Sequence, residues 1–201
     1  MSKDFFNARA ATWDEKVAEK DVSRLEAMLA RMEITPGDAV LDVGTGTGIF
    51  VPFLLQKIGD KGRLVCLDYA EDMLDIARRK NFNGNVEFIC ADIENSGLPD
   101  GIFDAIVCYS VFPHFEDKPR ALSEICRVLQ PGGRIFIAHT SGRQVINDIH
   151  RSLPEVCGHA FPENEEMQRL LSEAGFTDIY ISESQEHYFV SARKPERVIS
   201  S

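Results

Sequence analysis

Three glycines and three aspartates carry the clearest chemical signal. Gly44, Gly46 and Gly48 alternate with threonines in Asp42-Val43-Gly44-Thr45-Gly46-Thr47-Gly48, directly after an apolar run. Glycines there let the backbone turn sharply and let a ligand come close with no Cβ in the way. A turn of this kind opens a helix, whose free N–H groups favour an anionic group such as a carboxylate. Asp68 ends the next apolar run, 20 positions after Gly48. A carboxylate there can accept hydrogen bonds from both hydroxyls of a ribose and repels a 2′-phosphate. It can equally cap the helix that follows. Asp92 lies just past a third apolar run, where it can accept from an exocyclic amine such as that of adenine, or act as a solvated loop residue. Asp42, Asp68 and Asp92 each sit at or beyond a strand end, the edge where ligands collect in open α/β sheets. A dinucleotide fingerprint needs its third glycine at position 49 or 51, which are Ile49 and Val51. That spacing disfavours a nucleotide-dependent oxidoreductase.

All five histidines fall in the C-terminal half: His114, His139, His150, His159 and His187. The first four follow strand ends or sit on the helix and loop beyond them. His150 shares a helical face with Ile146, Ile149 and Leu153, so it is expected to point inward. Two readings stay open. The histidines are polar pocket residues with one acting as a base. Alternatively His139, His150 and His159 hold a metal, with His114 or Cys157 nearby, although no compact zinc spacing is present. His187 is expected to be structural.

Alternating elements must position these groups. Residues 21–33 suit a helix with Val22, Leu25, Leu29 and Met32 on one face. Short apolar strands are expected at 39–43, 63–67, 86–90, 105–108 and 134–139, and helices at 49–58, 71–80 and 117–129. Helices near 143–153 and 164–174 and two strands, 177–183 and 187–193, complete the chain. The connection between those strands is too short for a parallel crossover, so they must pair antiparallel. Residues 1–20 carry Phe5, Phe6 and Trp13 without a strong period and suit a docked helix or a flap. The pattern predicts an α/β fold with helices on both faces of a mostly parallel sheet.

The 201 residues suit one domain, 1–201, with 141–163 inserted over the strand ends. No apolar run approaches the roughly 20 residues of a membrane helix, so no membrane partner is expected. No signal peptide is legible at the start. Cys66, Cys90 and Cys108 sit in apolar runs; with Cys126 and Cys157 they form no CxxC pair. Reduced thiols and a cytoplasmic location are expected. A net charge of −10 argues against a broad nucleic-acid footprint.

Val40-Leu41-Asp42-Val43-Gly44-Thr45-Gly46-Thr47-Gly48 closely resembles the first motif of class I S-adenosylmethionine-dependent methyltransferases. Leu67-Asp68-Tyr69-Ala70-Glu71-Asp72-Met73-Leu74 resembles their acidic loop, and Asp92-Ile93 their adenine-contacting position. Phe103-Asp104-Ala105-Ile106-Val107 resembles the fourth strand, and Leu122 to Gly133 the helix and turn before the fifth. Ala174-Gly175-Phe176 extends the likeness beyond 36–140. The subgroup is similar to small-molecule enzymes that include the ubiquinone and menaquinone C-methyltransferases. The resemblance implies a Rossmann-like, seven-stranded, mostly parallel sheet with a C-terminal antiparallel hairpin. It implies S-adenosylmethionine as cofactor and a small-molecule acceptor. It places Gly44, Gly46 and the rest of the turn from Asp42 to Gly48 against the methionine and ribose. Asp68 would hold the ribose, Tyr69 and Met73 would flank the adenosine, and Asp92 and Ile93 would meet the adenine. Cys108 and Tyr109 would line the path to the sulfonium, and Trp13 would close over the cofactor. Phe112 and Phe115 are further aromatic candidates near the sulfonium. Acceptor choice then falls to His114, His139, His150 and His159. A protein that binds the cofactor without catalysis is the alternative.

Overall fold

A computed structural model describes residues 2–16 and 21–196. Seven strands form one sheet: β1 (Ala39–Val43), β2 (Arg63–Asp68), β3 (Val86–Cys90), β4 (Phe103–Tyr109), β5 (Leu129–His139), β6 (Thr177–Glu183) and β7 (Tyr188–Arg193). Their order is β3-β2-β1-β4-β5-β7-β6. The first five are parallel; β7 runs antiparallel to both β5 and β6. The expected hairpin therefore forms, and β7 is its inner strand.

Eight α-helices accompany the strands among the described residues: α1 (Ser2–Asn7), α2 (Trp13–Lys16), α3 (Val22–Arg31), α4 (Val51–Ile58), α5 (Glu71–Arg79), α6 (Lys118–Val128), α7 (Arg143–Ser152) and α8 (Asn164–Glu173). Side chains alternate across a strand, so the continuous apolar runs of β1, β2 and β4 feed two cores. Leu41, Val43, Val65, Ile106 and Cys108 pack with α6 and α8 on one face. Val40, Leu64, Cys66, Ala105 and Val107 pack with α3 and α4 on the other. Local chemistry starts two of these helices. Asp21 and Asp117 cap α3 and α6 by accepting the backbone N–H of Ser23 and Arg120.

Several local expectations are corrected. β5 starts at Leu129, not Arg134, because Pro131-Gly132-Gly133 forms an irregularity inside the strand. Its pairing with β4 steps from Phe103↔Leu129 to Ala105↔Arg134. Proline has no N–H for a ladder and fits such a break. Gly132 N–H and Gly133 C=O instead bond the main chain of Lys194. Cys90 is exposed, not buried, because β3 is an edge strand; Cys66 and Cys108 are buried. Val22 is exposed at the first position of α3, while Met28 joins Leu25 and Met32 inside. On α7 only Ile146 is buried; Ile149 and Leu153 are exposed.

Residues 2–16 dock on α5 and the end of β2 through Phe6, Ala10 and Trp13, which pack with Ala70 and Met73. Positions 1 and 17–20 of the expected flap lie outside the described residues. Among the described residues, no helix is long and apolar enough to cross a membrane.

Candidate active site

β1 and β4 lie side by side at the sheet centre, and their carboxyl ends open into a cleft. The turn after β1 forms its floor. Gly44 has φ +70°, and a Cβ there would collide with the Val111 side chain. Only glycine admits both that conformation and that approach. Gly46 has φ +54°, and nothing lies within 4 Å of where its Cβ would be. The space in front of it is the cleft itself. Gly48 is different: a Cβ would meet Phe82 at 3.0 Å and Ala77 at 3.3 Å, and the residue lines no part of the cleft. The expected ligand-contacting role of Gly48 is corrected to helix packing.

The Asp68 carboxylate faces the same turn. One oxygen accepts Gly46 N–H and the other Ala70 N–H, each at 2.8 Å. Burial pushes its pKa up to about 6, against the pull of the Ala70, Gly46 and Tyr69 N–H groups. Asp42 is buried beside it and accepts the Thr45 hydroxyl at 2.6 Å. Burial carries its pKa to about 7; Thr45 lowers it and Asp68 raises it. Two carboxylates are thus desolvated at one point of the cleft floor. Groups that offer hydrogens there would favour their ionised forms. Asp92 caps the short turn after β3 by accepting Glu94 N–H at 2.9 Å. It also lines the cleft, so both of its anticipated roles are open to it.

The cleft has two lobes that share Gly44, Asp68, Tyr69, Val111 and His114. The smaller, of about 200 Å³, is bounded by Asp92, Ile93, Phe115 and Lys3. The larger, of about 350 Å³, runs from the glycine turn past Trp13, Met73 and Tyr109 to His139, Ile149 and His150. Cys108 is fully buried in the core on the opposite face from Tyr109, so its expected place beside the path is corrected. Strand alternation separates the two neighbours. Phe112 is likewise a core residue.

The N-terminal segment covers the larger lobe. Trp13 and Phe6 both line it, with ring centroids 5.6 Å apart. Asp14 fastens the segment: it accepts the Thr47 hydroxyl at 2.5 Å and pairs with Lys80 at 2.6 Å. Asn7 accepts Asp72 N–H at the start of α5, and Arg9 pairs with Glu155 in the segment after α7. Phe6 stands in the sequence only as one of three N-terminal aromatics, and Asp14 has no role there. Neither carries a spacing signal; the folded chain brings Phe6 to the cleft and Asp14 to Thr47 beside it.

His114, His150 and His159 come together, with the His150 and His159 ring centroids 4.8 Å and 5.2 Å from that of His114. His139 lines the larger lobe with His114 and His150, whereas His159 lines neither lobe. Burial is the first cause that holds His114 well below the ordinary imidazole value, and His150, His159, His139 and Lys118 add to it. Burial also lowers His150 and His159. Among the described residues, no group of three or more histidines, cysteines or acids is placed to hold a metal ion. The metal alternative for His139, His150 and His159 thus has no ligand grouping among the described residues. Their Nδ1 atoms are engaged by Ser141 N–H, the His159 carbonyl and His114 respectively, and Cys157 is exposed and lines neither lobe. His187 bonds Ser182 and Ser184 in the hairpin, the structural role expected of it.

A family profile described as a methyltransferase domain matches residues 41–137, from β1 to β5. The chain is 28% identical over 180 residues to the ubiquinone/menaquinone biosynthesis C-methyltransferase of Francisella tularensis subsp. holarctica, covering 75% of this chain and 71% of that protein. It is 35% identical over 117 residues to the enzyme of the same name from Francisella philomiragia, covering 56% of this chain and 47% of that one. The chain thus spans about half the length of the second relative. Among solved structures, a SAM-dependent methyltransferase from Aquifex aeolicus superposes with a TM-score of 0.76 at 24% identity, covering 94% of this chain and 98% of that one.

The chain carries a class I S-adenosylmethionine-dependent methyltransferase domain. Its seven-stranded sheet is the Rossmann-like sheet of that class. The matched segment of the methyltransferase includes the glycine turn, Asp68, Asp92 and the carboxyl end of β4. It stops before α7 and the segment that bears His150 and His159. His139, Ile146, Ile149 and His150, which line the larger lobe, lie outside the shared profile, whereas Tyr109 and His114 lie within it.

Proposed function

We propose that this protein transfers the methyl group of S-adenosylmethionine to a small-molecule acceptor held in the histidine-lined part of the larger lobe. The observation that carries the proposal is the pairing of Gly46 and Asp68. An open space lies where Gly46 lacks a side chain, and a buried carboxylate is aimed beside it by two backbone N–H groups. Hydroxyls of a ribose fit that carboxylate, because each oxygen keeps a lone pair beyond the one it gives to the backbone. Asp42 and the turn suit the amino-acid end of the cofactor, whose ammonium would favour an ionised carboxylate. Asp92, Ile93 and the smaller lobe suit a planar base with an exocyclic amine. Tyr69 and Met73 border the space between the two ends.

When bound, the cofactor supplies a methyl group made electrophilic by its sulfonium. The chain's own residues align the reactants and exclude water. Trp13 and Tyr109 present aromatic surface to the larger lobe, which suits a cationic sulfur. Residues 2–16 act as a flap, and 141–163 form the acceptor side of a single domain. The acceptor is a small molecule and not a nucleic acid, in keeping with a net charge of −10. The cysteines are free thiols, which suits the cytoplasm.

The test is incubation with methyl-labelled S-adenosylmethionine and a metabolite extract, followed by mass spectrometry. One labelled small product, with S-adenosylhomocysteine in equal amount, is expected. Tight cofactor binding with no labelled product from any extract would favour a binding protein without catalysis.

A further inference from the structure

Four imidazoles gather around the far end of the larger lobe, and their hydrogen bonds give them different tautomers. His150 Nδ1 lies 2.6 Å from the carbonyl oxygen of His159. A carbonyl only accepts, so Nδ1 carries the proton and the lone pair of the neutral ring is on Nε2. His139 is set the other way: its Nδ1 accepts Ser141 N–H at 3.1 Å, so its neutral ring carries the proton on Nε2. His114 and His159 face each other Nδ1 to Nδ1 at 2.9 Å and share one proton.

The carbonyl that fixes His150 is itself held in place. His159 N–H bonds the Val156 carbonyl at 2.9 Å. Asn147, one turn before His150 on α7, clamps the loop end. Its amide donates to Phe161 C=O at 3.1 Å and accepts Phe161 N–H at 2.8 Å. One helix thus both carries His150 and ties down the loop that sets its tautomer. A hydrogen bond from Nδ1–H to a fixed acceptor is what orients an imidazole that works through Nε2.

The charge of the lobe adds a second constraint. Among the described residues, the lining groups with a formal charge are Asp42 and Asp68, both at the glycine-turn end. At the other end Phe6, His114, His139, Thr140, Ile146 and Ile149 surround the space. Among the described residues, no lysine or arginine lines this lobe to pair with an anion, and no carboxylate stands at the histidine end to pair with a cation.

We propose that His150 Nε2 is the catalytic base and that the acceptor is an uncharged molecule whose nucleophilic atom bears a proton, as O–H or N–H. The inference rests on the methyltransferase reading above. As the acceptor's lone pair forms the bond to the methyl carbon, the electrons of the sulfur–methyl bond return to sulfur. The acceptor's proton passes to His150 Nε2, and the imidazolium then releases it to water. His114 is the weaker candidate: its Nδ1 is tied to His159, and burial lowers its proton affinity further than that of His150. The titratable groups around His150 are His114 after β4, His139 at the end of β5, and His159 in the loop; Lys118 of α6 acts on His114 and His159, and Glu116, which borders the smaller lobe, acts on His159.

His150→Asn tests the assignment, since an amide can still donate to the His159 carbonyl but cannot take up a proton. S-adenosylhomocysteine affinity is expected to stay within about threefold. Label incorporation from methyl-labelled S-adenosylmethionine into a metabolite extract should fall by roughly 10²–10⁴-fold. The acid limb of the wild-type pH profile, below the ordinary imidazole value of about 6.5, should disappear in the variant. His139→Asn should keep that limb. Nitrogen-15 histidine spectra of the S-adenosylhomocysteine complex should show His150 with the proton on Nδ1. Undiminished incorporation by His150→Asn, or an Nε2–H tautomer, overturns the base. A labelled product derived from a carboxylate or phosphate overturns the acceptor class. Absence of any incorporation by the wild type would instead count against the methyltransferase reading, and the tautomer would then decide the His150 geometry alone.

Discussion

Replacing Asp68 by Asn separates ligand binding from folding. The carboxylate accepts Gly46 N–H and Ala70 N–H, one on each oxygen. In the Asp68→Asn variant one of those oxygens becomes an NH₂ group and faces a donor, which leaves a buried N–H without an acceptor. That costs roughly 1–3 kcal/mol of stability. A second effect opposes it. Burial carries Asp68 from 3.8 to about 6, so keeping it ionised at pH 8 costs the folded chain roughly 3 kcal/mol. The amide is free of that cost. The two effects nearly cancel, and Tm should move by only a few degrees. Binding has no such compensation. Two charge-assisted hydrogen bonds to ribose hydroxyls would be lost or weakened, roughly 2–4 kcal/mol. At about 1.4 kcal/mol per tenfold, S-adenosylhomocysteine affinity falls about 30- to 1,000-fold. Calorimetry and thermal unfolding on the same preparations supply both numbers. An unchanged Kd with an unchanged Tm would refute the ribose assignment.

Three further outcomes follow from the same geometry. Asp42 has its folded-state pKa raised to about 7, so its contribution to stability is present below about pH 4 and lost as pH rises through about 7. Asp42→Asn keeps an acceptor for Thr45 and should flatten the fall in Tm between about pH 4 and pH 7; parallel curves for the two proteins would contradict this. Gly46→Ala adds a methyl to open cleft space and, at φ +54°, roughly 1–2 kcal/mol of backbone strain; it should weaken cofactor binding more than that strain weakens the fold. Gly48→Ala, which presses on Phe82 and Ala77, should do the reverse; equal effects from both on binding would show that the two glycines are not distinguished in this way. Asp14→Ala removes the acceptor of the Thr47 hydroxyl and the partner of Lys80. It should speed limited proteolysis of the N-terminal segment and weaken cofactor binding several-fold, and unaltered proteolysis would remove the latch.

The glycine-turn end of the cleft was legible because its signals are local. Glycines at alternate positions after an apolar strand, and aspartates at strand ends, declare themselves within a few residues of sequence. The hairpin was legible from the length of one connection. What the sequence hid depends on through-space contact. Cys108 and Tyr109 are neighbours in sequence and lie on opposite faces of β4, and the run is too uniformly apolar to show which faces the cleft. Gly48 belongs to the same motif as Gly44 and Gly46, yet its missing Cβ makes room for Phe82, far along the sequence. His114 and His139 lie at strand ends, which their positions after apolar runs already imply. The histidine tautomers, and the exclusion of His159 from the lining, follow from a carbonyl and an N–H that no periodicity announces.

The central claim is that this cleft holds S-adenosylmethionine, and titration calorimetry with paired thermal shifts tests it most directly. The account predicts saturable one-to-one binding of S-adenosylmethionine and S-adenosylhomocysteine, and no binding of NADH. At about 100 times the dissociation constant the ligand should stabilise the fold by about 2.7 kcal/mol. For a chain of this size that is a rise in Tm of about 5–10 °C. Heat and Tm that respond to NADH and not to S-adenosylhomocysteine would contradict it.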